Sequence, residues 1–472
     1  MGSLYNVGEQ KIRPGVYRRY ESYGNNSEIA GAEYGLFAIP VHADFGPVGK
    51  VSEFEKDSIS ELKAMYGTGG TVNAALALFD GGATKVFIYR LGEGGATSSL
   101  EVSNSESTAI ATLTTKYPTA SNYNVTIKPS LNDTTKKEIL VYLDAVLLET
   151  ILFATSTDEK AAFIEAVNTN SKYLTATAGE GTGELATITN VALTGGSAPT
   201  VTTESYSTAF EAFESYKWFM LVLDTCETEV HALAHAYIKR IFSEGALSVC
   251  ALGEPTTVDF ATRLAHAKAF NDEKIIYLGS GFEDADGNKI DGYLAIAIQA
   301  GIIGSLSANQ SATHTVVPGA VNTIEVLKNS QYEDAIKNGM LLLSPNDEGQ
   351  VWFDSGINTL ITLSSIQDEG WKKIRRTATR FEMFDRIDRT VAPLIGKVNC
   401  DDVGIADVIT AGQKVLDAMA GSDEKKLAKG ATFAEDSEHK RGSDYAHFLI
   451  VAQDLDSLEK IYLRYQFKFS AE

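Results

Sequence analysis

The stretch WFMLVLDTCETEVHALAHAYIKRIFSEGALSVCALGEPTTVDFATRLAHAKAFNDEKIIYLG, residues 218–279, decides the fold. Three runs in it are apolar nearly throughout, at 218–224, 246–252 and 274–279, and two segments of helical spacing, 227–243 and 257–271, separate them. A strand that is apolar on both faces must be covered on both faces, and helices lying between such strands supply the cover. The pattern predicts a parallel sheet of α/β type.

The same rhythm appears nearer the N-terminus. GLFAIPV at 35–41, a GPVG turn at 46–49, helical spacing at 57–65 and 72–79, and KVFIYRL at 85–91 form a strand, helix, helix, strand block. Between the two blocks the composition changes. From 97 to 205 about a third of the positions are Ser or Thr, with no Cys, His or Trp. Short β-type runs (NVTIK, EILVYL, TITNVAL) are separated there by turn residues, and one helix is expected at 159–168. This reads as a mainly β insertion interrupting one α/β domain. Beyond Gln331, MLLL, QVWF and INTLITL read as strands, followed by helices at 371–394 and 408–419. The expected organisation is an N-terminal arm (1–20), an α/β core in two parts (21–96 and 206–330), the insertion (97–205), a C-terminal α+β domain (331–456) and a C-terminal strand arm (457–472). The fold class is thus α/β and α+β multidomain, with extended terminal arms.

The 472 residues carry 41 Lys and Arg against 62 Asp and Glu, a net charge of −21. That balance opposes the phosphate neutralisation nucleic-acid binding needs, and docking on anionic lipid, so neither polymer is an expected partner. The most apolar helical segment, LAIAIQAGIIG at 294–304, is far shorter than the ~18 residues that span a bilayer. It reads as a buried helix, and no membrane insertion is expected. Cys226, Cys250 and Cys400 are odd in number and lack CxxC spacing, and the N-terminus has no apolar leader pattern. Synthesis in a reducing compartment fits.

No set of residues nominates catalysis. His231 and His235 share a helix face, but Ala232 stands where a metalloprotease pattern needs Glu. Asp284, Asp286 and Asn288 alternate as calcium ligands would, but Lys289 occupies the turn-glycine position and Ala295 that of the bidentate Glu. GTGG from Gly67 has Val72 where a dinucleotide fingerprint ends in Gly, and Gly279-Ser280-Gly281 completes no GxSxG elbow. The expectation is a protein that is not an enzyme, with no catalytic residues, metal or cofactor; an enzyme on the α/β core is the alternative, and it would need a pocket.

Two features point to self-association. Ile461, Leu463, Tyr465, Phe467 and Phe469 alternate with polar or amphipathic residues at strict period two, three residues from the chain's end. That strand pairs either within its own domain or with a neighbouring molecule's sheet edge. Between 371 and 390, Lys372, Lys373, Arg375, Arg376, Arg380, Arg386 and Arg389 outnumber Glu382, Asp385 and Asp388. In an acidic chain such a helix is either a contact surface for acidic partners or a solvated face with local ion pairs.

Taken together the pieces resemble the tail sheath proteins of contractile phage tails and related phage-like bacteriocin particles. The matching segments are RPGVY at 13–17, GLFAIPVHADFGPVGKV at 35–51, ALALFDGGATKVFIYRL at 75–91, GYLAIAIQAGIIG at 292–304, GWKKIRR at 370–376, GQKVLDAMAG at 412–421 and LEKIYLRYQF at 458–467. They occur in the family's order. The resemblance implies a structural subunit that polymerises as a helical array of six-membered rings around an inner tail tube, and contracts to drive the tube through a cell envelope. It implies partners in other copies of the chain, the tube protein, and baseplate and terminator proteins. It also implies synthesis in a bacterial cytoplasm and residence in a virion tail or tail-like particle. On this reading Arg13, Pro14, Gly15, Val16 and Tyr17 form an N-terminal arm, and Ile461 to Phe469 donate a strand to a neighbour. Lys372, Lys373, Arg375, Arg376 and Arg380 then contact the tube or another subunit. A secretion-system sheath would share these arms, but would be expected to carry a docking element for a recycling ATPase and to consist of two chains.

Overall fold

The computed structural model describes residues 34–467, together with two short parallel strands, β1 (Ser3–Leu4) and β2 (Tyr17–Arg18). The α/β core opens with β3 (Leu36–Val41), every residue of it buried, then β4 (Val51–Glu55), α1 (Ile59–Tyr66), α2 (Val72–Asp80) and β5 (Lys85–Arg90). Helix α2 stops where Gly81 and Gly82 follow, Gly82 adopting φ 114°, a conformation that side chains resist.

The insertion is a two-sheet sandwich. It contains β6 (Ser99–Ser103), β7 (Ala109–Thr115), β8 (Tyr123–Pro129), β9 (Lys136–Leu143), β10 (Val146–Ala154), α3 (Lys160–Asn170), β11 (Leu174–Ala178) and β12 (Ile188–Ala192). One sheet has the order β10-β9-β8-β12 and the other β11-β7-β6. Val125, Ile127, Ile139, Val141, Leu113 and Phe163 of α3 fill its separate core. The alternation of apolar and Thr or Ser residues is what one buried and one wetted face require.

The core then resumes with α4 (Thr203–Phe213), β13 (Met220–Val222), α5 (Thr228–Ser243), β14 (Val249–Gly253), α6 (Phe260–Phe270) and β15 (Ile275–Leu278). A small sheet follows, of β16 (Phe282–Asp284), β17 (Lys289–Ile290) and β18 (Ala320–Thr323), with α7 (Gly292–Ser305) between the last two. Helix α8 (Asn329–Lys337) leads to β19 (Met340–Leu341). The central sheet has seven strands in the order β19-β15-β14-β13-β3-β5-β4, parallel except for β4. Helix α7 is apolar all round because it is walled all round, between α2 and the sheet, as 294–304 predicts.

The reading beyond Gln331 needs correction. MLLL divides: Met340 and Leu341 become the edge of the central sheet, while β20 (Leu343–Pro345) turns away to pair with β21 (Val351–Phe353). INTLITL forms no strand; only an isolated bridge links Ile357 to Lys373. There Asn271, in a left-handed conformation at the end of α6, accepts from the backbone of Ile361 and Thr362, and that side chain takes the place of a ladder. The last elements are α9 (Ile374–Val391), α10 (Asp402–Ala420, capped by Asp401), β22 (Thr432–Glu435) and β23 (Phe448–Val451).

Candidate assembly surfaces

After β23 the chain makes no further strand through residue 467. Ile461, Leu463, Tyr465 and Phe467 are 69–81% exposed, and Tyr462 on the opposite side is 89% exposed. Pairing within this domain's own sheet, one of the two sequence readings, is therefore absent for residues 461–467. An extended segment with a free ladder and an apolar face is a template for pairing. Phe469 lies outside the described residues, as do Arg13, Pro14, Gly15 and Val16, whereas Tyr17 lies in β2.

The hairpin β22–β23 was not anticipated from sequence, although FLIV at 448–451 carries a strand signal. It is a two-stranded sheet with both edges open among the described residues, and Leu449 and Val451 face outward. Its other face packs on α10, where Gly412 admits the Phe433 ring: a Cβ there would lie 2.4 Å from the ring. A two-stranded sheet is marginal alone and gains from further strands.

The basic stretch is engaged within the chain. Arg376 donates to both oxygens of Asp454, from Nε at 2.7 Å and Nη2 at 2.5 Å, and Lys373 pairs with Glu459. Arg380 reaches Glu273 at 3.3 Å and stacks over Trp371 at 4.0 Å. Lys372 pairs with Glu369 at 2.9 Å, and Arg386 lies between Glu382 (2.6 Å) and Glu424 (2.9 Å). Arg375 is buried and its Nε has no hydrogen-bond partner. Most of these acids come from distant segments that spacing on one helix cannot reveal, so a local count of seven bases against three acids overstates the charge this helix presents outward. Lys372 to Arg380 thus sit at a junction of elements rather than on a bare basic face.

At the carboxyl ends of β3 and β13, where the winding of the sheet reverses, Asp224 has no exposed side-chain surface. It accepts from His42 Nδ1 (2.7 Å), His42 N (3.1 Å), Thr71 Oγ1 (2.5 Å) and Tyr206 OH (2.9 Å). The hydrogen bond to Asp224 raises the His42 pKa. Thr71 donates to the carboxylate and not to the imidazole, so no nucleophile–base pair forms; the group ties three loops together. His231 and His235 do not converge: His235 Nε2 meets Asp272 at 3.2 Å, while His231 is buried with Nε2 unpartnered. Asp284 accepts from the amides of Asp286 and Asn288, a closed turn. Among the described residues no three His, Cys, Asp or Glu converge as a metal site would require. A cavity of about 840 Å³ lies between the core and α9, walled by Leu36, Trp218, Leu247, Ile374 and Phe381.

With this geometry in hand, known proteins give a consistent comparison. Residues 200–359 match the family model of the phage tail sheath protein central domain, and residues 93–199 that of the phage tail sheath protein beta-sandwich domain. The Bacillus subtilis (strain 168) protein YqbK is 25% identical over 382 residues, 79% of this chain and 78% of that protein. The sheath tail protein of Desulfitobacterium hafniense superimposes with a TM-score of 0.71 at 18% identity, covering 93% of this chain and all of the other. The helical sheath of the anti-feeding prophage in its contracted state superimposes at 0.53 and 9% identity, over 97% and 99%.

Proposed function

Because the chain belongs to the phage tail sheath family, whose two domain models run without a break over residues 93–359, we propose that it polymerises around an inner tail tube as the structural subunit of a contractile sheath. The observation that carries this beyond membership is the terminal segment 461–467, apolar on alternate residues, exposed and without a ladder. In assembly it adds to an open edge of the β22–β23 hairpin of a neighbouring copy. Main-chain hydrogen bonds supply the affinity and the alternating apolar residues set the register. Donor and acceptor are different surfaces, so the contact is heterologous and propagates into a helical array instead of closing on a dimer.

Contraction is then a change between two packings of one folded subunit, with the energy held in the interfaces between subunits. The tube protein fits inside the array, and baseplate and terminator proteins cap its ends. The particle is a phage tail or a tail-like device assembled in a bacterial cytoplasm. No step requires chemistry by this chain, which serves as a structural component rather than an enzyme.

Electron microscopy of the purified full-length chain, concentrated without nucleotide and with or without its tube protein, tests the reading. Hollow tubes of uniform width are expected. Only compact particles in both conditions would overturn it.

A further inference from the structure

Two clusters on α9 hold the two ends of the described body, at Tyr34 and at Glu459. At the C-terminal exit, Glu459 accepts from Lys373, from Thr313 Oγ1 at 3.0 Å and from Ser311 Oγ at 3.3 Å. One step earlier Arg376 holds both oxygens of Asp454. The backbone is tied there too: Ala428 N donates to Gln453 O at 2.8 Å, and Leu455 N to Lys426 O at 2.9 Å. Past Glu459 the chain is exposed through Phe467.

At the other end Tyr34 donates to Glu382 Oε2 at 2.7 Å and accepts from Lys426 Nζ at 2.9 Å. Lys426 and Arg386 each reach Glu382 Oε1 at 2.6 Å, and Arg386 also meets Glu424 at 2.9 Å. Glu382, Arg386 and Lys426 are all buried. Lys373 at the start of α9 and Glu382 within it are nine residues apart, about 13 Å along the axis. Lys426 joins the two clusters, since its side chain serves the Tyr34 group and its carbonyl holds Leu455.

We infer that α9 is a common anchor at both ends of the body: Lys373 and Arg376 seat the root of the C-terminal arm, and Glu382, Arg386 and Lys426 seat Tyr34, at the head of the strand that opens the core. The basic stretch is then an internal mount, and Lys373 and Arg376 are positioning residues for assembly. Tyr34 and Glu459 move as a fixed pair with the body, and flexing between neighbours falls on the chain beyond Glu459. Charge-assisted hydrogen bonds suit this role because they fix direction as well as distance. What the arms do rests on the sheath reading; their anchoring does not.

Amide hydrogen exchange of the full-length chain, kept unassembled by dilution, tests it. The double variant Lys373→Ala, Arg376→Ala is expected to speed exchange at Leu455 and Ala428 by about tenfold or more, with the central sheet and α10 unchanged. Tyr34→Phe is expected to speed exchange at Gly35, whose amide bonds to Gly304, and to leave Leu455 as it was. Exchanging the charges in Lys373→Glu, Glu459→Lys restores protection relative to Lys373→Glu alone. Unchanged exchange at Leu455 in the double variant would overturn the inference. So would acceleration spread evenly over α9 and the sheet, which marks general loss of structure. If the exchange results hold while the wild-type chain forms no tubes, the anchor stands and the sheath reading fails.

Discussion

Arg90 has no exposed surface, and its guanidinium meets three carbonyls: Ala43 at 2.9 Å, Gly46 at 2.7 Å and Pro118 at 2.9 Å. The first two belong to the loop after β3 and the third to the inserted sandwich, so one side chain joins core and insertion. Phe45 of the same loop enters the sandwich core, with ring centroids 5.2–5.6 Å from Tyr117, Tyr123 and Tyr173. Sequence places Arg90 at the end of an apolar strand and cannot say which carbonyls await it. His231 shows the same limit. Its spacing from His235 left a ligand pair open against packing or surface placement; its burial, with His235 turned to Asp272, decides for packing, and that burial pushes its pKa down to about 4. An unfolded histidine takes its proton near pH 6.5. Between these values the unfolded chain binds more protons, so stability is full above about pH 6.5 and falls as the pH drops toward 4, by up to about 3 kcal/mol. His42 has the opposite sign: its raised pKa contributes stability at low pH that is lost as the pH rises. Denaturant unfolding of wild type and His231→Gln between pH 7.5 and 4.5 is expected to show a flatter acid limb for the variant. Equal slopes would remove His231 as the cause.

Among the elements, α2 and α7 make an unusually close pair. A Cβ at Gly301 would lie 2.7 Å from the Leu78 carbonyl oxygen and 3.0 Å from the Cα of Gly81, both backbone atoms that cannot swing aside. Gly301→Ala therefore forces the helices apart and is expected to cost about 1–3 kcal/mol, read as a lower denaturant midpoint at unchanged slope. A variant as stable as wild type would mean the helices separate freely. Element types in this region were legible because apolar periodicity is local; the contact distance was not, because it depends on two glycines 220 residues apart. INTLITL misled for the converse reason: it has strand composition, but its backbone is held by the Asn271 side chain that follows α6, by the Ile275 carbonyl and by a single bridge at Lys373 rather than by a ladder.

For the whole molecule, the prediction concerns the last fifteen residues. Deleting 458–472 removes exposed apolar surface together with the contacts of Glu459, and no part of the sheet, sandwich or α10. The truncated chain is expected to remain a folded monomer, its melting temperature within a few degrees of wild type, and to form no tubes by electron microscopy. Tubes from the truncated chain would show that another surface connects the array.

What the sequence determined by itself is what short-range order carries: a parallel α/β sheet, a β insertion rich in Ser and Thr, a buried α7, and a terminal segment that alternates at period two. Periods of two and 3.6 are properties of neighbouring residues. Only the tertiary structure decided where the charges of α9 go, that β19 joins the central sheet, and that residues 461–467 form no strand among the described residues. Those outcomes depend on groups tens or hundreds of residues away, such as Tyr34 with Glu382 or Arg376 with Asp454. An ion pair is specified by where two side chains meet in space, and no local pattern encodes that meeting.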